Sequence, residues 1–316
     1  MHENFYRYST DIEFYLCAFS RYKSLQPFIF TSVLALYLLC VLGNIFITGI
    51  ICVTYQLHTP MYYFLCNLTV LDLIYVSVIL PKLMMITITG DIRISYPGCF
   101  AQVFFYVFCL GTEFFILASM AIDRYVAICI PLHYTPLMNG MTCLKLSVFS
   151  FSLGLLNAMM YPLLISRLSF GHFHEINHFF CHMKSLLKLC GPEATSIDLL
   201  IVIDGIALGF STFILILISY TLIISTILKI QTSSGRFKAF STCSSHLIVV
   251  LLFCLTSLTL NMKPENELSQ EQDKFLSMLY IAVVPLLNPV VYSLRNKEVL
   301  RAVKRNVLKN YQDLDI

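Results

Sequence analysis

The side chains best placed to do chemistry in this chain sit at Asp123, Arg124 and Tyr125, in the stretch MAIDRYVAIC (120–129) that ends a long apolar run. An acid and a base at a membrane boundary are costly to desolvate, so they need a partner or a task. Arg124 keeps its charge at any accessible pH, and the adjacent Asp123 supplies a resting partner. Breaking that pair frees Arg124 for a polar contact on another protein, which is what a bistable switch requires. A static pair that only anchors a helix is the plainer alternative. Two more acids, Asp72 and Glu113, lie inside apolar stretches, where an acid is functional, paired or protonated. Glu113 lies eleven residues before Arg124, about three helical turns, and Tyr106 a further seven before that. Tyr106, Leu110, Glu113, Leu117 and Arg124 therefore share one helix face.

Asp72, Glu113 and Asn288 are the raw material of a buried polar cluster, holding either water or Na⁺, or forming a hydrogen-bond network without an ion. Pro285 and Pro289 interrupt the last apolar run. Each removes a backbone donor and bends a helix, so this run has a hinge next to Asn288, with Tyr292 one turn on and placed to meet Tyr220 near Arg124. His172, His174, His178 and His182 flank Cys181 in one loop. Imidazoles and a thiolate at these spacings suit Zn²⁺ or copper, but solvated loop histidines fit as well, and we assign no metal. Nothing resembles a metalloprotease helix, a nucleophile elbow or a phosphate loop, so the chain is not read as an enzyme.

The elements that position these residues follow from composition. The chain has 316 residues, 58% hydrophobic and 12% charged, with a mean hydropathy of +0.77. Soluble domains carry about 25% charged residues. Lys, Arg, Asp and Glu are absent between Lys23 and Asp72, Lys145 and Arg167, Lys238 and Lys263, and Lys274 and Arg295. Since about 20 apolar residues cross a bilayer, the chain reads as one seven-span domain over 1–316. The spans are near 27–53, 59–82, 99–128, 146–166, 197–228, 240–262 and 275–294. In lipid a helix satisfies its own backbone, so the fold class is an all-α membrane protein, a seven-helix bundle.

Segments 229–238 and 295–309 together hold nine bases and one acid, whereas Glu265, Glu267, Glu271 and Asp273 lie between the last two spans. Basic loops stay inside, which puts residues 295–316 in the cytoplasm and residues 1–26 outside. Arg21 and Lys23 before the first span oppose this locally. Residues 1–26 contain no apolar signal-peptide core. In the tail, Val299, Leu300, Val303 and Val307 share a helical face with bases between them, the pattern of a short amphipathic helix on membrane lipid. The bases are split among short loops, so a nucleic-acid partner is not expected. No internal repeat suggests a transporter, and no filter loop suggests a channel.

Five stretches in order, PMYYFLCNLTVLDL (60–73), MAIDRYVAICIPLHY (120–134), SY (219–220), KAFSTCSSH (238–246) and PLLNPVVYSLRN (285–296), resemble the vertebrate olfactory receptors of the tetrapod-type class, within the rhodopsin-like G-protein-coupled receptors. The resemblance runs from about residue 14 to about 309. Gly43–Asn44, Asp72 and Asn288–Pro289 with Tyr292 match the wider receptor pattern. It implies a small odorant as ligand and a heterotrimeric G protein of the olfactory, stimulatory type as partner. Asp123, Arg124, Tyr125, Tyr220, His246, Asn288, Pro289 and Tyr292 would then form the switch, and Cys99 and Cys181 an extracellular bridge. By resemblance and helical phase, Tyr106, Val107, Leu110 and Gly111 line the ligand pocket, with Asp204, Gly205 and Leu208, Ser257, Leu258 and Asn261, and Met278 and Ile281. Asp204 either faces that pocket, where it suits a basic or hydroxylated ligand, or serves as a structural acid.

The chain departs from the family in places. Ile122 replaces the usual Tyr, Cys254 stands where Tyr is common, Phe151 stands where Trp is expected, and the N-terminal sequon is missing. Gly171 occupies the place of a usual Cys, which leaves Cys190 without its expected partner. The alternatives to an odorant receptor are a receptor of the same fold for a metabolite or peptide, and a membrane transporter.

Overall fold

The computed structural model describes residues 13–171, 174–262, 267–294, 299–301 and 303–304, with side chains left aside at 238, 241–242, 245, 255, 257–262, 267–270 and 292–294. Seven long helices form a bundle. They are α1 (Gln26–Val53), α2 (Pro60–Thr89), α3 (Tyr96–Cys129), α4 (Gly140–Ile165), α5, α6 (Ser233–Met262) and α7. α5 runs Thr195–Asp204, passes through a π-helical Gly205–Phe210 and resumes as Ser211–Leu228. α7 does the same, as Glu267–Met278, a π-helical Leu279–Val283, and Val284–Leu294. The π turns just before Pro285 have a local cause, because a proline cannot donate to the preceding turn and its ring pushes the i−4 carbonyl aside.

The helices start where the local chemistry allows. Proline occupies the first turn of α1, α2 and α3, where a missing N–H costs nothing. Ser95 caps α3 by accepting from the Gly98 N–H, and Asn139 caps α4 by accepting from the Thr142 N–H at 2.9 Å. Several helices run past the apolar segments; α2 extends to Thr89 and α3 begins at Tyr96.

The outer surface is an apolar belt. Phe28, Leu42, Ile88, Leu156 and Phe210 are all exposed, the reverse of a soluble protein and the arrangement that lipid requires. The polar residues face inward. Asn44, Asp72, Glu113, Asp123, Arg124, His246 and Asn288 are all buried. α3 is the central helix, packed against α2, α4 and α5. Where α3 meets α4, the backbones nearly touch. A Cβ on Gly154 would lie 2.0 Å from Thr112 Oγ1 and 3.1 Å from its backbone N, so only glycine fits there.

One feature outside the bundle is not helical. β1 (Glu13–Leu16), β2 (Arg93–Ser95) and β3 (Glu175–Ile176) form a three-stranded sheet in the order β2-β1-β3, antiparallel on one side and parallel on the other. Phe14 and Leu16 of β1 are fully buried. Within the tail, 299–301 and 303–304 are helical, with Val299 buried and Val303 half-buried, while Val307 lies outside the described residues.

Candidate functional site

Three layers of functional residues are threaded on α3. The uppermost is a cap. Cys99 and Cys181 form a disulfide with their Cα atoms 5.3 Å apart. Gln102, one turn below, accepts from the Cys181 N–H at 3.0 Å and donates to the Val78 carbonyl at 3.1 Å, tying the loop to α2 and α3. The strand β1 pairs with β3 of this loop. Ala18 then turns at φ +42°, a conformation that costs a non-glycine residue about 1–3 kcal/mol. It is clamped by its N–H to the His178 carbonyl at 3.0 Å and by Lys274 Nζ donating to its own carbonyl at 2.9 Å. Lys274 also pairs with Glu271 at 2.9 Å. Phe19 packs against Phe179 and Phe275, each at 5.8 Å.

His178 and His182 of this loop are packed into the cap. His178 and His182 stack with their ring centroids 5.0 Å apart, and His182 also meets the Tyr106 ring edge-on. Burial holds both well on the neutral side: His178 far below its ordinary value, aided by His182 and Lys274, and His182 down to about 4, aided by Lys184 and Lys188. Among the described residues no three His, Cys, Asp or Glu side chains converge as metal ligands, and Cys181 is oxidised. His172 lies outside the described residues. Cys190 is a buried free thiol, and Gly171 donates its N–H to the carbonyl of the neighbouring Leu189 at 3.0 Å.

Below the cap is a cavity of about 590 Å³ bounded by α3, α4, α5 and α6, within the size range of small-molecule sites. Its wall is mainly apolar. Of the residues expected from the sequence, Val107, Leu110, Gly111, Asp204, Gly205 and Leu208 line it. Tyr106, Met278 and Ile281 do not. Tyr106 is packed between Tyr75 and Phe180, Ile281 is fully buried in α7, and Met278 lies on the same helix, half-buried against the core. The side chains of Ser257, Leu258 and Asn261 lie outside the described residues. Sequence reasoning missed Phe114, Asn157 and Phe213. Asn157 had a signal: it shares the inward face of α4 with Gly154 and Tyr161, at i−3 and i+4.

Asp204 fills both roles left open by the sequence. It lines the cavity, and its Oδ2 accepts from the Tyr161 hydroxyl at 2.7 Å. The π turns directly after it explain its placement. Gly205–Phe210 widens the helix, and the hydroxyls of Ser211 and Thr212 take up carbonyls of Leu208 and Gly209 at 2.8–3.2 Å.

The middle layer is the buried polar cluster, which consists of two pairs. Asn288 Nδ2 donates to Asp72 at 2.8 Å, and the Tyr280 hydroxyl donates to Glu113 at 3.1 Å. Tyr280 is a member that sequence reasoning did not name. Asn44 Nδ2 reaches the Pro285 carbonyl at 3.2 Å, one of the groups near the proline hinge. The neighbouring Gly43 lets Pro289 approach, since a Cβ there would stand 3.3 Å from the proline ring. The Asn44 and Asn288 side-chain oxygens are buried without a partner among the described residues. These oxygens and the Asp72 carboxylate are hard donors, the chemical type that Na⁺ or water takes.

The lowest layer carries Arg124. Its guanidinium donates to Asp123 Oδ2 through Nε at 3.0 Å and through Nη2, while the Tyr134 hydroxyl donates to the other carboxylate oxygen at 2.8 Å. Asp123 is fully buried and Arg124 nearly so. Tyr125 is half-buried against the bundle. Across the bundle, the Tyr220 hydroxyl meets His246 Nδ1 at 2.7 Å and donates to the Cys243 carbonyl at 3.2 Å, which links α5 to α6. Tyr220 therefore binds α6 in this state. Tyr292, its expected neighbour, has its side chain outside the described residues. Pro289 lies inside α7.

The chain that builds these three layers has many relatives by sequence. The olfactory receptor family model matches residues 33–310. Human Olfactory receptor 13F1 is 41% identical over 298 residues, covering 94% of this chain and 93% of its own length. Gorilla Olfactory receptor 1G1 is 42% identical over 293 residues (93% and 94%), and mouse Olfactory receptor 5AP2 is 42% identical over 306 residues (95% and 94%). The chain therefore belongs to the olfactory receptor family of rhodopsin-like G-protein-coupled receptors.

Proposed function

We propose that this odorant-sensing G-protein-coupled receptor binds a small, mostly hydrophobic ligand in the α3–α4–α5–α6 cavity, and that binding releases Arg124 at the other end of α3. The observation that carries the reading is continuity. Val107, Leu110 and Gly111 wall the cavity, Glu113 bonds Tyr280 within a turn of them, and Arg124 is latched three turns further on. Any ligand that shifts α3 against α5 acts on all three layers, because packed helices change arrangement in discrete steps. Release of Asp123 and Tyr134 would expose a guanidinium to a cytoplasmic heterotrimeric G protein of the stimulatory type.

The base distribution and the Cys99–Cys181 bridge support an extracellular N-terminus and a cytoplasmic tail, with the helical residues 299–301 and 303–304 lying on membrane lipid. Asp72, Asn288 and Asn44 would hold Na⁺ if it binds, and the ion would supply positive charge that steadies the resting arrangement. The test of the whole reading is Arg124→Ala in a cAMP reporter cell with surface display measured in parallel. The expected result is a displayed receptor with no agonist response; a full response at equal display refutes the switch assignment.

A further inference from the structure

The cavity holds two polar groups that its own walls leave incompletely used. Among the described lining residues Asp204 carries the only carboxylate and none is Lys or Arg, and it has no ion-pair partner among the described residues. Its one hydrogen bond in the structure comes from a neutral donor, the Tyr161 hydroxyl. The Asn157 amide lines the same cavity, and no hydrogen bond to it is formed among the described residues. The rest of the wall is hydrocarbon and aromatic, with Phe114, Phe210 and Phe213 contributing rings.

Resting on the cavity reading above, we propose that the ligand class of this receptor is the aliphatic primary amine, bound as the ammonium ion. An ammonium has three donors and no acceptor. The Asp204 carboxylate and the Asn157 amide oxygen are acceptors, and aromatic faces attract a cation. The charge on Asp204 is what selects the amine over a neutral alcohol of the same length, since an opposite charge gains most where water is excluded. Tyr161 holds the carboxylate in place while leaving its other oxygen for the ligand. The alkyl tail lies against Val107, Leu110, Leu208 and Cys254.

The experiment is a cAMP dose–response in cells displaying the full-length receptor, with n-alkylamines, the matched n-alkanols and the matched n-alkanes as probes. The variants are Asp204→Asn, which keeps an acceptor for Tyr161, Asn157→Leu, and the cavity-filling Leu208→Trp, each normalised to surface display. The amine is expected to be at least about tenfold more potent than the alcohol on the wild type. Asp204→Asn should weaken the amine about 100-fold, the loss expected when a buried charge pair is broken, and leave the alcohol within about threefold. Asn157→Leu should weaken both. Equal potency of amine and alcohol, a response to neither, or an Asp204→Asn variant that still prefers the amine overturns the ligand class. Leu208→Trp separates the two readings. If it silences every agonist while Asp204→Asn changes nothing, the cavity stands and the amine assignment falls. If it silences none, the cavity itself is not the ligand site.

Discussion

The two ends of α3 are held by different kinds of bond. At the outer end, Cys99 is covalently joined to Cys181, Gln102 bridges loop and α2, and a sheet, stacked aromatics and Lys274 close over them. At the inner end, one ion pair and one tyrosine hydroxyl hold Arg124 and Asp123. Covalent and apolar contacts persist through small rearrangements, whereas a charge pair is exchanged whenever a better partner arrives. The contrast teaches where motion belongs. On the proposed reading, the outer end would be a frame against which ligand can push, and the inner end the part that yields.

The largest effect is expected from breaking the frame. Cys99→Ser or Cys181→Ser removes a bridge closing an 82-residue separation, and loss of a native disulfide typically costs about 2–5 kcal/mol. Both variants should fail to reach the cell surface, as read by antibody staining of intact cells. Normal display would move the frame from the disulfide to the sheet and aromatic contacts.

Next comes the joint between frame and switch. Gly154→Val puts a branched side chain where Thr112 already stands. Overpacking of this kind costs about 1–3 kcal/mol, so thermal stability in detergent should drop by several degrees. Thr112→Ala in the same chain should recover part of that loss; no recovery would mean that α3 and α4 separate without strain.

A smaller effect separates the two ends by pH. His178 and His182 are neutral in the folded cap, with His182 shifted down to about 4 from an ordinary 6.5. The unfolded chain then binds protons that the folded cap refuses, so the cap is at full stability above about 6.5 and loses it as pH falls toward 4. Thermal stability of the purified receptor should decline across that window, and His178→Phe should flatten the decline. A flat profile in the unmodified receptor contradicts the burial of the pair.

The smallest change is Tyr134→Phe. It removes one hydrogen bond of about 1 kcal/mol from the latch, and agonist-independent cAMP should rise roughly two- to fivefold. An unchanged basal signal would leave the ion pair as the whole latch.

The spans were legible because gaps in Lys, Arg, Asp and Glu are long and lipid tolerates few exceptions. The α3 face was legible because Tyr106, Glu113 and Arg124 recur at helical intervals. The cap was not. Glu13–Leu16 is too short to announce a strand, and its partners lie about 80 and 160 residues away. The cavity was half legible. Val107, Leu110, Gly111 and Asp204 follow from phase, but the π turns at Gly205–Phe210 shift that phase by an extra residue, and no residue type announces them. Tyr106 was misplaced because an aromatic on the correct face was already used by packing against Phe180 and Tyr75. Tyr161 was missed because the fourth span carries no charged residue to draw attention to one face, although its hydroxyl fixes the only carboxylate among the described cavity-lining residues.

The most direct test of the latch is Asp123→Asn, which keeps an acceptor for Tyr134 and removes the charge that holds Arg124. Agonist-independent cAMP per displayed receptor is the quantity to measure. A latched inner end beneath a fixed outer frame predicts a basal signal raised several-fold at a display level near that of the unmodified receptor. Equal basal signal at equal display would contradict it, and would make the Asp123–Arg124 pair a static anchor.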